Sequence, residues 1–185
     1  MGCGVASIKT MTARLSFAAV ALLLTSTAAL STSLEYAVKA AYLYKFAPFI
    51  EWPATTFSSA DSPLNICVSG KDPFGPALDQ AVVGQRVEGH TLVVRRIPDI
   101  AAANGCQIVY LGAATGQSAS QALDALRGQP VLTVSDSVSD PASRGIINLL
   151  VEDNKVRFEI DDRAAEQSHL TISSKLLSLA YQKTK

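Results

Sequence analysis

One short stretch, residues 64–75, sets the plan for the rest of the chain. It reads Leu-Asn-Ile-Cys-Val-Ser-Gly-Lys-Asp-Pro-Phe-Gly. The Ile, Cys and Val residues at its centre favour a buried strand, which Gly70 ends. Asp72 is a helix-capping residue type, and Pro73 suits the first position of a helix, where a missing N–H group costs nothing. The stretch therefore predicts a strand–turn–helix unit, which is the start of an α/β layer.

Predicted strands continue to alternate with helical stretches through the middle of the chain. After the first unit the order is strand 91–96, helical turn 98–103, strand 107–111, helix 117–126 and strand 131–135. Connections of this length indicate crossovers, which join parallel strands. Two further strands, 146–151 and 156–160, flank a short run of turn-forming residues and predict a hairpin. We expect one α/β domain with a mixed, largely parallel sheet of about six strands, flanked by helices in Rossmann-like layering.

An amphipathic helix precedes this region. Thr32 and Glu35 have the spacing of a capping box, and apolar residues recur behind them at intervals of three and four. Lys39 is predicted to lie on the flank of this helix. Because Pro48 lacks an N–H group, it is expected to kink or end the helix near Ala47. The aromatic residues along the helix indicate a core or dimer interface.

Capping residues mark two short helices near the end of the chain. Asp161 or Asp162 can cap the first of them, and Ser173 can begin the second. In the second helix, Leu176, Leu177, Leu179 and Ala180 form the predicted apolar side.

Residues 1–30 differ in composition from the rest of the chain. Their only two charged residues are basic, and the apolar run 15–24 follows. This run is too short to span a bilayer but has the length of a secretory h-region, and small residues at 26–29 offer a cleavage site. We expect residues 1–30 to be a secretory signal peptide and residues 31–185 to be the exported domain. An uncleaved anchor helix is the alternative.

The charge balance argues against two classes of partner. The chain has 16 basic and 16 acidic side chains and no run of like charges. Nucleic acid and anionic membrane surfaces are therefore not expected partners. After signal cleavage, no direct membrane insertion is expected.

Two cysteines remain after residues 1–30 are removed, Cys67 and Cys106. In an oxidising compartment an isolated pair is most simply a disulfide. Closing a loop of about 40 residues would stabilise the fold by about 4 kcal/mol in the chain-entropy model. Two buried free thiols are the alternative.

Sequence motifs for catalysis are missing. Gly70 and Gly75 have the spacing of a phosphate loop, but the Lys-Ser/Thr pair does not follow them. There is no Gly-x-Ser-x-Gly elbow, and the two histidines stand apart from any metal-ligand spacing. We therefore expect no enzyme activity, no cofactor and no metal site.

Four residues fall just beyond predicted strand ends, where open α/β sheets bind ligands. They are Gly70, Asp72, Gly112 and Asp136. The loop 112–116 also has the small residues of an anion-binding backbone nest. These four residues are the predicted rim of a ligand crevice, although helix capping explains the two aspartates more simply.

Taken together, several segments resemble the YfiR family of bacterial periplasmic proteins, in the family's order and over nearly the whole exported chain. The segments are 38–44, 49–53, 66–75, 131–136, 145–149, 156–160 and 172–177, with Gly84-x-x-Val87-x-Gly89 and Cys106-x-Ile108-x-Tyr110-x-Gly112. Three positions depart from the family pattern. Lys45 replaces an Asn, Asp161 replaces an Asn, and Pro48 replaces a helix-compatible residue, which implies a shorter first helix.

The resemblance implies a regulatory role. Such a protein represses an inner-membrane diguanylate cyclase by engaging its periplasmic sensor region, which lowers cyclic-di-GMP and disfavours biofilm. The resemblance also implies a homodimer whose activity depends on cysteine redox state. Cys67 and Cys106 match family cysteines, and no second pair is present for a further switch. A periplasmic small-molecule sensor is the alternative function, followed by a hydrolase that uses Asp72 and Asp136.

Overall fold

The computed structural model describes residues 1–2, 26–112 and 117–182. The apolar run of the predicted signal peptide and most of the predicted anion nest lie outside these residues. Contacts within the chain divide it into two units, residues 1–35 and 36–185. In the first unit, residues 26–35 are helical. The second unit holds the sheet and the remaining helices.

Five α-helices are present in the described residues. They are α1 (Ser26–Phe46), α2 (Pro76–Val82), α3 (Ala119–Leu126), α4 (Asp162–Gln167) and α5 (Ser174–Leu179). The described residues also form nine strands. They are β1 (Ile50–Glu51), β2 (Leu64–Ser69), β3 (Arg86–Val87), β4 (His90–Ile97), β5 (Ile108–Leu111), β6 (Leu132–Asp136), β7 (Ile147–Glu152), β8 (Lys155–Ile160) and β9 (Thr171–Ile172).

Seven of the strands form one mixed sheet in the order β3-β4-β2-β5-β6-β7-β8. The five central strands are parallel to one another, and β3 and β8 add antiparallel edges. β1 and β9 pair separately as a short antiparallel ladder. The predicted mixed and largely parallel α/β sheet is confirmed. It has seven strands instead of about six because β3, with two residues, is too short to show a hydrophobic period.

Successive residues of the central strands point into two different cores, as the two-residue period of a strand requires. In β2, Ile66 and Val68 belong to the larger cluster, whereas Cys67 belongs to the smaller one. The larger cluster takes buried side chains from α1, α2, α4 and α5. The smaller cluster takes Ala122 and Leu126 from α3. Helices therefore cover both faces of the sheet.

The first helix differs from the prediction at its start but not at its end. It begins at Ser26, so the predicted capping box of Thr32 and Glu35 lies inside it. The residues before Thr32 include Ala and Leu, which propagate a helix readily, and this propensity outweighs the capping signal. The helix ends at Phe46, and Pro48 lies in the 3₁₀ turn that follows. The predicted stop near Ala47 is confirmed.

The helix after β2 begins later than predicted. Pro76, not Pro73, occupies its first turn, and the residue before it, Gly75, has a φ of 51°. The Asp72 carboxylate accepts hydrogen bonds from the Phe74 and Gly75 amides at 2.7 and 3.2 Å. Asp72 therefore closes the turn ahead of the helix and does not cap it.

The predicted hairpin of β7 and β8 is confirmed, with a tighter turn. Glu152 pairs with Lys155, so two residues form the loop. Asp153 and Asn154 both have positive φ, at 50° and 57°. Two-residue hairpin turns of this kind require positive φ at both loop positions, and Asp and Asn tolerate that conformation.

Candidate functional site

The order of the parallel strands reverses between β2 and β5, which is where open α/β sheets place a ligand crevice. Here the two strand ends are in backbone contact. The Gly112 amide donates to the Ser69 carbonyl at 3.0 Å. A Cβ atom on Gly112 would lie 2.5 Å from the carbonyl oxygens of Ser69 and Lys71. Glycine is therefore required at this position by close packing of the chain.

Gly70 ends β2 in the same region. Its φ is 72°, and its amide donates to the Ile97 carbonyl at 3.0 Å. The positive φ turns the chain away from the sheet, and glycine adopts it without steric cost. The predicted strand end at Gly70 is confirmed.

Asp72 belongs to a surface ion-pair network that Arg96 organises. The Arg96 Nε atom lies 3.0 Å from Asp72 Oδ2, and its two terminal nitrogens each lie 2.6 Å from an oxygen of Asp79. The hydrogen bonds from Arg96 lower the pKa of Asp79, and both carboxylates raise the pKa of Arg96. The network ties the turn after β2 and the first part of α2 to β4.

Asp136 lies at the end of β6 and is held from three sides. Its Oδ1 atom accepts from Lys39 Nζ at 2.6 Å and from Ser137 Oγ at 2.9 Å. Its Oδ2 atom accepts from the Tyr110 hydroxyl at 3.1 Å. The Lys39 side chain is 1% exposed and the Asp136 side chain 11% exposed. We call Lys39, Tyr110 and Asp136 the buried polar cluster.

Aromatic rings enclose this cluster. The ring centroids of Phe74 and Tyr110 are 4.6 Å apart, and those of Phe74 and Tyr36 are 5.8 Å apart. Lys39 Nζ lies 4.9 Å from the centroid of the Tyr36 ring. Burial, with the negative charge of Asp136 as the next contribution, raises the pKa of Tyr110 far above its usual range. The phenol therefore remains protonated and donates to the carboxylate.

The prediction that Lys39 lies on the helix flank is wrong. The side chain is fully buried, because Lys39 lies on the same helical row as Leu43 and Phe46, which are four and seven residues further on and are also buried. The spacing was visible in the sequence, but the charge of Lys39 favoured a solvent-exposed position. Its partner Asp136 is 97 residues away, so no local pattern reveals the pair.

The predicted rim residues divide into two groups. Gly70 and Gly112 shape the backbone where β2 and β5 end, and Asp72 and Asp136 hold basic side chains of the protein itself. Lys39 of the same chain neutralises the negative charge of the Asp136 carboxylate. A ligand-binding role for these four residues remains a prediction.

The structure contains a disulfide between Cys67 and Cys106, the pair predicted from the sequence. Their Cα atoms are 5.9 Å apart, and the residues are 0% and 3% exposed. The bond joins the middle of β2 to the residue two positions before β5, inside the smaller core. Arg95 covers it, with Nη1 3.7 Å from Cys106 Sγ and 2.9 Å from the Asn104 carbonyl.

Two further kinds of feature are absent from the part of the chain that the structure describes. Within residues 1–2, 26–112 and 117–182, no group of three or more His, Cys, Asp or Glu side chains is arranged to hold a metal ion. No helix among these same residues combines the length and the apolar character needed to cross a membrane.

A comparison with protein-family models gives one family for this chain. The YfiR/HmsC-like model matches residues 36–181, which is most of the sequence. The match begins at the first residue of the second unit, and it ends in the segment after α5. It includes the sheet, the two disulfide-bonded cysteines and the buried polar cluster. The chain therefore belongs to the YfiR/HmsC-like family.

Proposed function

We propose that this protein is a periplasmic repressor of an inner-membrane diguanylate cyclase and that it acts by binding the cyclase's periplasmic sensor region. The observation that carries the proposal is the family match over residues 36–181, since the family is one of periplasmic regulators without catalytic activity. The Cys67–Cys106 bond supports export, because disulfides persist in oxidising compartments. Residues 1–30 would serve as the signal peptide.

Repression of this kind requires a difference in affinity between two states of the cyclase. A protein that bound the active and inactive sensor equally would shift no population. Converting a cyclase from about 99% active to about 99% inactive takes about 10⁴-fold tighter binding to the inactive state. The function therefore requires a surface that fits one sensor conformation and rejects the other.

Three features of the described fold favour such a fixed surface. Two hydrophobic cores cover the faces of the sheet, the disulfide joins β2 to the segment just before β5, and the buried polar cluster ties α1 to β5 and β6. A rigid binding surface loses little conformational entropy on association. We propose that the protein acts as a preformed binding module, as a homodimer, and that release from the cyclase raises cyclic-di-GMP.

Deletion of the gene tests this function in a host that encodes a membrane cyclase with a periplasmic sensor region. Cellular cyclic-di-GMP should rise on deletion and fall when the full chain is restored. Restoring residues 31–185 without an export signal should leave the level high, because the protein would then be on the wrong side of the membrane. Unchanged cyclic-di-GMP after deletion in such a host would contradict the proposal.

A further inference from the structure

A small cleft lies at the amino ends of the parallel strands, on the opposite edge of the sheet from the predicted crevice. Its volume is about 350 Å³, and its walls include Trp52, Pro53, Phe57, Glu88 and His90. Clefts of this size suit small molecules. Among the described residues that line the cleft, Glu88 is the one with a carboxylate, and none is a lysine or an arginine.

The walls of the cleft are aromatic. The rings of Phe57 and His90 are stacked, with centroids 3.8 Å apart and an angle of 11° between their planes. Trp52 meets Phe57 edge-on at 6.5 Å. Aromatic faces attract organic cations, and a planar guanidinium can both stack on a ring and donate to a carboxylate. The walls and the single negative charge therefore complement a cationic group.

Hydrogen bonding fixes the ring of His90 in one orientation. Its Nδ1 atom lies 2.6 Å from the carbonyl oxygen of Ser62. A carbonyl oxygen can only accept, so Nδ1 carries the proton, and in the neutral ring Nε2 is left as an acceptor. A ligand with several N–H donors would suit this acceptor together with the carboxylate of Glu88.

We propose that this cleft binds a small guanidino compound, with free arginine as the example tested. The guanidinium would lie against the aromatic walls and donate to Glu88 and to His90 Nε2. This site is separate from the predicted crevice of Gly70, Asp72, Gly112 and Asp136, and the proposal does not depend on the regulatory function.

The chain offers a selective probe, because Trp52 is its only tryptophan. Titration of the exported, oxidised protein with arginine should change the tryptophan fluorescence in a saturable way. Citrulline has nearly the same shape without the positive charge, and it should bind at least about tenfold more weakly because charge-assisted hydrogen bonds are lost. Equal responses to arginine and citrulline, or no saturable response to arginine, would overturn the proposal.

A matched pair of variants locates the binding. Glu88→Gln should weaken arginine binding about tenfold or more, whereas Glu152→Gln, at an exposed position in the β7–β8 hairpin, should leave it unchanged. Thermal unfolding of both variants verifies that each is folded. Arginine binding to Glu88→Gln as tight as to the unmodified protein would refute the site. Tighter binding of an arginine residue within a blocked peptide would refute the small-molecule assignment.

Discussion

Replacing Lys39 with methionine tests whether the buried polar cluster holds the first helix on the sheet. The substitution keeps the length and packing of the side chain but removes its charge. Asp136, whose side chain is 11% exposed, would then keep only its hydrogen bonds from Tyr110 and Ser137. Breaking a buried ion pair from one side costs about 3–5 kcal/mol, because the remaining charge is left buried and uncompensated.

Urea unfolding of the oxidised protein, followed by circular dichroism, measures this cost directly. For a domain of this size, 3 kcal/mol corresponds to a decrease in Tm of about 10 °C. Lys45→Met is the matched control. It removes a lysine from the same helix at an exposed position, so its effect should stay within about 0.5 kcal/mol.

The triple variant Lys39→Met, Tyr110→Phe, Asp136→Leu removes the ion pair together with the hydroxyl that donates to Asp136. Replacing a buried ion pair with apolar residues is often neutral or stabilising when no polar group is left unpaired, so this variant should regain most of the stability that Lys39→Met loses. A loss below about 1 kcal/mol in Lys39→Met would refute the argument that this ion pair anchors α1.

Four further outcomes follow from the described contacts. Replacing Cys67 and Cys106 with alanine should lower the free energy of unfolding, measured in urea, by about 4 kcal/mol. Because the bond is buried, a water-soluble reductant should reduce it only after the protein unfolds. Gly112→Ala should cost about 2 kcal/mol or more by thermal unfolding, because its Cβ would collide with two backbone oxygens. The pKa of Asp79 is lower in the folded protein than in the unfolded chain, where it is about 4, so the bonds from Arg96 stabilise the fold fully only above that value. This stability is lost as the pH falls through the lower, folded-state pKa. Asp79→Asn should therefore make the free energy of unfolding less sensitive to acid.

Much of the architecture could be predicted because its signals are local. The apolar centre of β2, the turn residues of the hairpin and the helix stop at Pro48 each depend on a few neighbouring residues. The same holds for two helix caps, since the side chains of Asp161 and Ser173 accept from the amides of Ala164 and Leu176 as predicted.

The errors have physical causes of two kinds. The two-residue strands β1, β3 and β9 are too short to show a period. β1 and β9 also pair only with each other, from distant parts of the chain, whereas β3 pairs with the adjacent β4. At Lys39 and Asp136 the decisive contact is tertiary, since a buried lysine becomes favourable only beside a carboxylate that the fold supplies. The aromatic cleft was missed for the same reason, because Trp52 and His90 meet only in the folded chain.

The proposed function requires that the exported protein itself switches off a membrane cyclase from the periplasmic side. Spheroplasts of a deletion strain expose the sensor region, so purified oxidised protein of residues 31–185 can be added to it directly while cyclic-di-GMP is measured. We expect a saturable fall in cyclic-di-GMP that does not occur in spheroplasts whose cyclase lacks its periplasmic region. An unchanged level at saturating protein, with the sensor region present, would contradict it.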